Sequence, residues 1–411
     1  MALLIMPTLF CQLKKEIYEV NKLKMKKFYG PFAMLGAAIL LAIVGMVAST
    51  IRDNMSGLET PMFTERRLIE TEEHGLLSVR YIEFMNDELP NRFGFSYEEL
   101  RTANWLVEEL AAIGFSQDLI TVQAFSRADA IAAMLHYGPE LVFGLALTQI
   151  GTNSPFYEAG LRADEMSQNI ILTIPGISDE VIVVGAHYDS VMFPSASDNA
   201  SGVALLLESA SRMLEVDNYY TIQYVFFGAE EVGLAGVYYY IASLSHAEHE
   251  NIVAMINADI LLEGDGLFLG AGYYAGGEIG ANPVTSVFNL LSINPAQNQI
   301  TQTWDDLAVM LSDSHDDLDF ISDPYVTLAT SDHIAFLHYG HTVVVFVGMD
   351  MIDGWYDLGR GITSPTSGMI PLLHSSRDDF HYINENFPGR MERNMRGFSL
   401  LLEEMLLVNY E

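Results

Sequence analysis

Cysteine is almost absent from this 411-residue chain, which contains a single one, Cys11. One thiol cannot form a disulfide within the chain, so a disulfide-stabilised fold is excluded. Because Cys11 lies near the N-terminus, the rest of the chain has neither a thiolate zinc site nor a cysteine nucleophile. Metal binding or catalysis in that part must therefore use other side chains, with histidine and the carboxylates as the main candidates.

Basic residues are scarce after the N-terminal segment. All six lysines lie within the first 27 residues, and residues 52–411 contain 14 arginines against 52 acidic residues, a formal net charge of −38. A body this acidic repels a phosphate backbone, which excludes a nucleic-acid partner. Half of the chain is hydrophobic and its mean hydropathy is +0.20, so general disorder is excluded as well.

An uncharged and mostly apolar run, residues 28–51, follows the lysine-rich segment. A bilayer core is spanned by about 20 apolar residues in a helix, and flanking lysines stay on the cytoplasmic side. We therefore predict a basic cytoplasmic tail (1–27), one transmembrane helix in the lipid bilayer (28–51) and a linker (52–64), with the remaining chain outside the cytoplasm. The alternative is a signal peptide starting at Met25 that is cleaved to secrete the protein.

Residues 65–411 are predicted to form one α/β domain. Short apolar runs rich in β-branched residues and bounded by turn residues are typical of strands buried on both faces. Such runs occur at 170–174, 181–186, 222–227, 252–257 and 343–347. Helical patterns occur at 201–214, 234–244 and 392–407, and also through most of 65–113, where Ser96 and Glu99 form a capping-box pattern. The alternation predicts a doubly wound, largely parallel sheet flanked by helices.

Carboxylate and imidazole side chains follow three of the predicted strands. They are His187 and Asp189 after 181–186, Glu230 and Glu231 after 222–227, and Asp259 after 252–257, with Asp198 just before a helix. In open α/β sheets, ligands bind beyond the carboxyl ends of the strands. Carboxylates that converge in a cleft require a cation, and their combination with imidazole suits zinc or a similar divalent ion. A carboxylate shared by two ions would hold them as in two-metal hydrolases.

The segments around these residues resemble metallopeptidase family twenty-eight of clan MH, which contains di-zinc aminopeptidases, glutamate carboxypeptidase and glutaminyl cyclase. The matching segments are GAHYDS (185–190), SDNASGV (197–203), GAEEVGLAG (228–236) and NAD (257–259). Two later segments also match, SDH (331–333) and LHSSRD (373–378). The resemblance implies a zinc aminopeptidase-like fold.

The resemblance also implies a role for each residue that matches the family pattern. Two zinc ions per chain would be held by His187 and Asp259 on one side, by Glu231 and His374 on the other, and by Asp198 between them. Glu230 would be the general base that activates the bridging water and later protonates the leaving amine. Asp189 would hydrogen-bond the second ring nitrogen of His187.

Several other histidines compete for the position of the last ligand. The family pattern favours His374 over His333, which belongs to the SDH segment. The nearby His338 and His341 are further alternatives, and His246 with His249 is expected in a solvated loop. Some family aminopeptidases have a tyrosine beside the last histidine; Leu373 stands there in this chain, so the oxyanion donor is unassigned, with Tyr325 as one candidate.

The resulting expectation is a membrane-anchored, extracytoplasmic di-zinc exopeptidase of the aminopeptidase type, acting on peptide or aminoacyl substrates. One alternative is a glutaminyl cyclase-like acyltransferase of the same fold with one zinc. Another is a non-catalytic ectodomain that serves in binding. A carboxypeptidase would additionally need an arginine that binds the substrate carboxylate.

Overall fold

Each apolar run predicted as a strand forms one. The computed structural model describes residues 60–63, 73–137, 164–191, 193–272, 299–322, 331–349 and 372–408. Within them the strands are β1 (Ile120–Ser126), β2 (Met166–Ile174), β3 (Val181–His187), β4 (Thr221–Phe227), β5 (Ile252–Ala258), β6 (Gly266–Gly272), β7 (Phe320–Ser322) and β8 (Val343–Met349). Strands β3, β5 and β8 are buried almost throughout, as expected for strands covered on both faces.

The described strands form one sheet in the order β1-β2-β4-β3-β5-β8-β6-β7. Its centre, β4-β3-β5-β8, is parallel. On one side β2 and β1 join in antiparallel fashion, and on the other β6 runs antiparallel to β8. The predicted mostly parallel sheet is therefore confirmed, with mixed margins. Because β3 lies between β4 and β5, the carboxyl ends of these three strands are adjacent at one edge of the sheet.

Helices cover both faces of this sheet. They are α1 (Leu76–Glu88), α2 (Tyr97–Ile113), α3 (Arg127–Tyr137), α4 (Ser201–Met213), α5 (Ala235–Ser243), α6 (His246–Asn251), α7 (Gln299–Ser314), α8 (His333–His338), α9 (Phe380–Asn386) and α10 (Arg390–Leu407). In β3, Ile182 and Val184 pack into a core with α1, α4 and α10, whereas Val183 packs into a second core with α3, α5 and α8. The doubly wound arrangement is thus confirmed.

The start of α2 follows the predicted cap only in part. The Ser96 hydroxyl accepts a hydrogen bond from the Glu99 N–H at 3.0 Å, and the helix ends at Gly114, whose φ of 135° favours glycine. The Glu99 carboxylate, however, accepts from the N–H of Phe95 and the hydroxyl of Ser167. Glu99 therefore ties the helix start to β2 in place of closing the capping box.

The strands β1, β6 and β7 were not predicted. Strand β6 has the sequence GLFLGAG, without a β-branched residue, so its pairing with β8 decides its conformation. The predicted tail (1–27) and transmembrane segment (28–51) lie outside the described residues, as does the predicted linker apart from residues 60–63. Among the helices that are described, none combines the length and the apolar character needed to cross a membrane.

Candidate metal centre

The predicted site residues lie at the carboxyl ends of the central strands. His187 is the last residue of β3, and Asp259 directly follows β5. Glu230 and Glu231 lie in the turn between β4 and α5. Because β4, β3 and β5 are neighbours, these side chains reach one cleft although they are far apart along the chain.

Asp198 reaches the same cleft from the irregular turn that precedes α4. The turn spans Ala196–Ala200, and the peptide bond between Asp198 and Asn199 is cis. The Asn199 amide donates to the Ala258 carbonyl at 2.9 Å, which ties the turn to the end of β5. The Asp378 carboxylate accepts from the N–H groups of Ser197 (2.5 Å) and Asp198 (2.9 Å). These contacts fix the backbone on both sides of the Asp198 side chain.

The five predicted ligands form two groups of three that share Asp198. In the first group, His187 Nε2 lies 3.2 Å from Asp198 Oδ1 and 3.4 Å from Asp259 Oδ1. In the second, His374 Nε2 lies 3.0 Å from Asp198 Oδ2 and 3.2 Å from Glu231 Oε2. Asp198 therefore directs one carboxylate oxygen into each group. The potential ligand atoms of each group lie within 4.8 Å of one another.

These separations match those of a tetrahedral zinc site. Ligands 2.0–2.1 Å from a tetrahedral ion lie about 3.3 Å from each other. Two buried carboxylate oxygens at the site, Glu231 Oε1 and Asp259 Oδ1, accept no hydrogen bond from any described residue. Buried oxygens of this kind require a partner, and a cation held by the group would be one. The donor set, two imidazoles and three carboxylates, suits zinc or a similar divalent ion.

The acidic residues of the cleft carry strongly shifted pKa values. Burial raises the pKa of Glu231 to about 7, with a further contribution from the nearby charge of Asp198. Burial opposes ionisation of Asp198 too, but the two histidines more than offset this and hold its pKa below the ordinary value. Burial lowers the pKa of His374, but its hydrogen bonds with Asp198 and Glu231 outweigh this effect and raise the pKa to about 11. In the protein alone, the positive charge of protonated imidazole offsets the negative charge of the clustered carboxylates. A bound cation would supply that positive charge in place of the imidazole proton.

Asp189 contacts His187 chiefly through its backbone carbonyl, and its carboxylate has a second role that was not predicted. His187 Nδ1 lies 3.2 Å from the Asp189 carbonyl oxygen and 3.5 Å from its carboxylate. A proton on Nδ1 satisfies these acceptors and leaves Nε2 for the centre. The Asp189 carboxylate also accepts from the N–H groups of Glu230 (2.9 Å) and Glu231 (3.1 Å). One side chain therefore orients the ring on β3 and the acidic pair after β4.

Glu230, the predicted general base, lies beside the two groups and belongs to neither. Its side chain is half-buried, and burial raises its pKa well above the ordinary value. The positive charge of His187 lowers this pKa, and the negative charges of the neighbouring acids raise it. A carboxylate with a raised pKa is suited to accepting a proton and returning it.

His333, the main competitor of His374, lies at the start of α8 and in neither ligand group. Ser331, in the same segment, contacts a ligand of the centre directly. The Ser331 hydroxyl donates to Asp259 Oδ2 at 2.7 Å and accepts from the Asn257 amide at 2.8 Å. Ser331 therefore orients Asp259, a role that sequence reasoning missed although it singled out the SDH segment.

The remaining competing histidines belong to neither ligand group. His246 is exposed and pairs with Glu250, and His338 Nδ1 lies 3.1 Å from the Tyr238 hydroxyl. His246 and His249 belong to the short helix α6, so the expectation of a loop was wrong; a Ser245–Glu248 capping box stabilises this helix. Tyr325, the suggested oxyanion donor, lies outside the described residues.

His341 and His249 form a stacked pair whose facing nitrogens lie 3.1 Å apart. Burial, with the charge of His249, lowers the pKa of His341 to about 4. The unfolded chain therefore takes up a proton below about pH 6.5 that the folded form does not. We expect the free energy of unfolding to fall from pH 6.5 to pH 4, by on the order of 3 kcal/mol for this group.

Urea unfolding at a series of pH values measures this dependence. The variant His341→Phe keeps an aromatic ring and should flatten the slope between pH 6.5 and pH 4. His246→Gln, a change at an exposed histidine, serves as the control and should leave the slope unchanged. An identical slope in His341→Phe and the original protein would refute the assignment.

Comparison with known proteins agrees with this geometry. The profile of Peptidase family M28 matches residues 169–399, more than half of the chain. The chain belongs to this family. The described site residues from His187 to Asp378 all lie within the matched segment.

Curated relatives match over a shorter stretch. The aminopeptidase YwaD of Bacillus subtilis is 38% identical over 106 residues, which cover 24% of this chain and 22% of that protein. An aminopeptidase of Pseudomonas aeruginosa is 37% identical over 103 residues, 25% of this chain and 19% of that protein. These matches span about a fifth of the relatives' length.

Solved structures share the fold over most of the chain. A zinc aminopeptidase from Bacillus subtilis superposes with a TM-score of 0.55 at 16% identity and covers 80% of this chain and 95% of its own. A glutaminyl cyclase from Tannerella forsythia gives a TM-score of 0.52 at 17% identity, covering 82% and 100%. At these identities the likeness concerns the fold, which both kinds of enzyme share.

Proposed function

We propose that this protein is a di-zinc exopeptidase of the aminopeptidase type. The observation that carries the proposal is the pair of three-ligand groups that share Asp198, with Glu230 beside them. In this proposal His187, Asp198 and Asp259 hold one zinc ion, and Asp198, Glu231 and His374 hold the other. Family membership and the names of the aminopeptidase relatives support the same activity.

The chemistry divides between the ions and the side chains. A bound zinc pair would polarise the scissile carbonyl and lower the pKa of a water molecule. Glu230 takes the proton from the attacking water and returns it to the leaving amine. Asp189 keeps His187 oriented through its Nδ1 side, and Ser331 keeps Asp259 oriented. The ligand positions are thus set before the substrate arrives, which lowers the cost of reorganisation during the reaction.

Each alternative predicted from the sequence leaves part of this site without a role. A glutaminyl cyclase-like enzyme with one zinc would leave one of the two three-ligand groups without a role. A non-catalytic ectodomain has no need for five converging ligands together with a carboxylate of raised pKa. Zinc counting, together with an N-terminal glutamine substrate, separates these possibilities.

We further propose that the catalytic domain, residues 65–411, lies outside the cytoplasm. The support is the charge pattern of the N-terminal segment, in which lysines precede the uncharged run 28–51 and none follows it. Residues 28–51 serve in this proposal as a membrane anchor, with cleavage and secretion as the alternative. Protease treatment of intact cells that degrades the catalytic domain would support this orientation, and complete protection would exclude it.

Metal content and hydrolysis test the proposed activity together. The purified full-length chain should contain about two zinc ions, hydrolyse aminoacyl substrates, and lose this hydrolysis on treatment with a chelator, because the ligand groups then lack their ions. Peptides blocked at the carboxyl terminus should remain substrates, and peptides blocked at the amino terminus should not. The reverse pattern would indicate a carboxypeptidase, and a metal-free chain that hydrolyses normally would refute the proposal.

A further inference from the structure

Glu263 is a buried carboxylate that contacts the backbone immediately before His374. It lies four residues after Asp259 and is fully buried. Its two carboxylate oxygens accept hydrogen bonds from consecutive N–H groups, those of Leu372 at 3.0 Å and Leu373 at 3.1 Å. Neither sequence motifs nor family resemblance assigned a role to Glu263.

His374 depends on such a contact more than the other ligands do. Its side chain is 47% exposed, whereas those of His187, Asp198, Glu231 and Asp259 are between 1% and 7% exposed. Packing therefore fixes the other four ligands, but it covers only half of His374. In addition, His374 has a φ of 54°, in the left-handed region that non-glycine residues rarely adopt. Its position must be imposed by the hydrogen bonds of the adjoining backbone.

The backbone on either side of His374 is held from two directions. On the N-terminal side, Glu263 binds the N–H groups of Leu372 and Leu373. On the C-terminal side, the Ser375 N–H donates to the Leu372 carbonyl at 3.1 Å, and the Asp378 N–H donates to the Ser375 carbonyl at 3.1 Å. The turn that carries His374 is closed by its own hydrogen bonds, and Glu263 connects it to the loop after β5.

Two other carboxylates near the centre make the same kind of contact. Asp189, from the His187 loop, accepts from the N–H groups of Glu230 and Glu231. Asp378, from the His374 loop, accepts from those of Ser197 and Asp198. In all three cases a carboxylate on the loop of one ligand binds two consecutive N–H groups on the loop of another. Each of these side chains therefore joins two ligand loops through a pair of hydrogen bonds.

We propose that Glu263 is a positioning residue that sets the place of His374 and thereby the affinity of one of the two metal sites. This inference rests on the proposed function, because it assigns His374, Glu231 and Asp198 to one ion. Asp259 belongs to the His187 group, and the loop that follows it thus holds His374, a ligand of the second group, in place. The assignment predicts an effect on one site only.

The variant Glu263→Gln tests this assignment in the full-length chain. Glutamine keeps the shape of the side chain but turns an NH2 group toward a backbone N–H, so one hydrogen bond is replaced by a repulsive contact. Loss of a group that orients a metal ligand typically costs 10–100-fold in metal affinity. In calorimetric titration of the metal-free protein with zinc, we expect one of two binding steps to weaken by about this factor, and the other to change by less than about threefold.

Glu208 offers a matched control. It is a buried carboxylate on α4 that accepts from two backbone N–H groups, those of Gly75 and Ser78, both at 2.7 Å. None of the centre's ligands is among its hydrogen-bond partners. Glu208→Gln should lower the midpoint of urea unfolding and leave both zinc-binding steps unchanged. If Glu263 served only to stabilise the fold, Glu263→Gln would show the same pattern as this control.

A double-mutant cycle with His374→Ala gives a readout that general destabilisation would not produce. If Glu263 acts through His374, Glu263→Gln should weaken zinc binding in the original protein but have no further effect on zinc binding in the His374→Ala background. Additive effects in the two backgrounds would overturn the proposal, as would equal weakening of both zinc steps. If the original protein itself binds fewer than two zinc ions, the proposed function fails instead, and the two failures are distinguishable.

Discussion

Replacing Glu230 by glutamine should leave zinc bound and reduce turnover by on the order of 10²–10⁴-fold, the usual contribution of a general base. Glutamine has nearly the shape of glutamate but cannot take up a proton. Glu230 belongs to neither ligand group, so the variant should retain both ions. The measurement is kcat for an aminoacyl p-nitroanilide together with the zinc content of the same preparation.

Its neighbour Glu231 provides the contrasting variant. Glu231→Gln makes the same chemical change one residue away, but it alters a predicted ligand of the His374 group. This variant should lose zinc from that group, and added zinc should restore part of its activity. Added zinc should not restore Glu230→Gln. If Glu230→Gln turned over at the original rate, or if both variants lost zinc equally, the separation of base and ligand would be wrong.

The centre of the fold could be predicted because its signals are local. Strands β3, β5 and β8 consist of consecutive apolar residues, many of them β-branched, and such runs specify buried strands whatever surrounds them. Once parallel neighbours are assumed, the residues after the strands must meet at one edge. That is why His187 and Asp259 were placed together without a structure.

The margins of the sheet and the supporting contacts could not be predicted in this way. Strand β6 has no β-branched residue, and its partner β8 lies about 75 residues away, so its conformation depends on a distant contact. Glu263 and the two N–H groups that it binds are separated by 109 and 110 residues. No pattern in a single sequence marks such a pair, because a buried carboxylate and a solvated one look the same.

His374 is an intermediate case. Spacing alone does not distinguish it from His333, and the choice came from the resemblance of its segment to a known family. In the structure, His374 Nε2 lies 3.0 Å from Asp198, whereas His333 belongs to neither described ligand group. What selects His374 physically is the backbone after residue 371, where Glu263 and Asp378 connect the turn to two other ligand loops. These connections become visible only when the loops are placed in space.

Asp198→Asn should have the broadest effect of any single change at the centre. Asp198 directs Oδ1 toward His187 and Oδ2 toward His374, so it is the one predicted ligand common to both groups. Asparagine retains one oxygen but replaces the other with an NH2 group that cannot bind a cation, and it removes a negative charge from between the two positions. We therefore expect both zinc-binding steps to weaken and hydrolysis to fall by more than about 10³-fold.

Asp259→Asn is the appropriate comparison for this prediction. It changes a buried carboxylate of the same centre that belongs to the His187 group only. Zinc titrations should show one weakened step in Asp259→Asn and two in Asp198→Asn, and circular dichroism should show that both variants are folded. If Asp198→Asn weakened only one step, Asp198 would serve a single ion, and the proposed sharing of Asp198 by the two groups would be wrong. The count of weakened steps therefore decides whether the two ions share Asp198, and does so before any substrate is known.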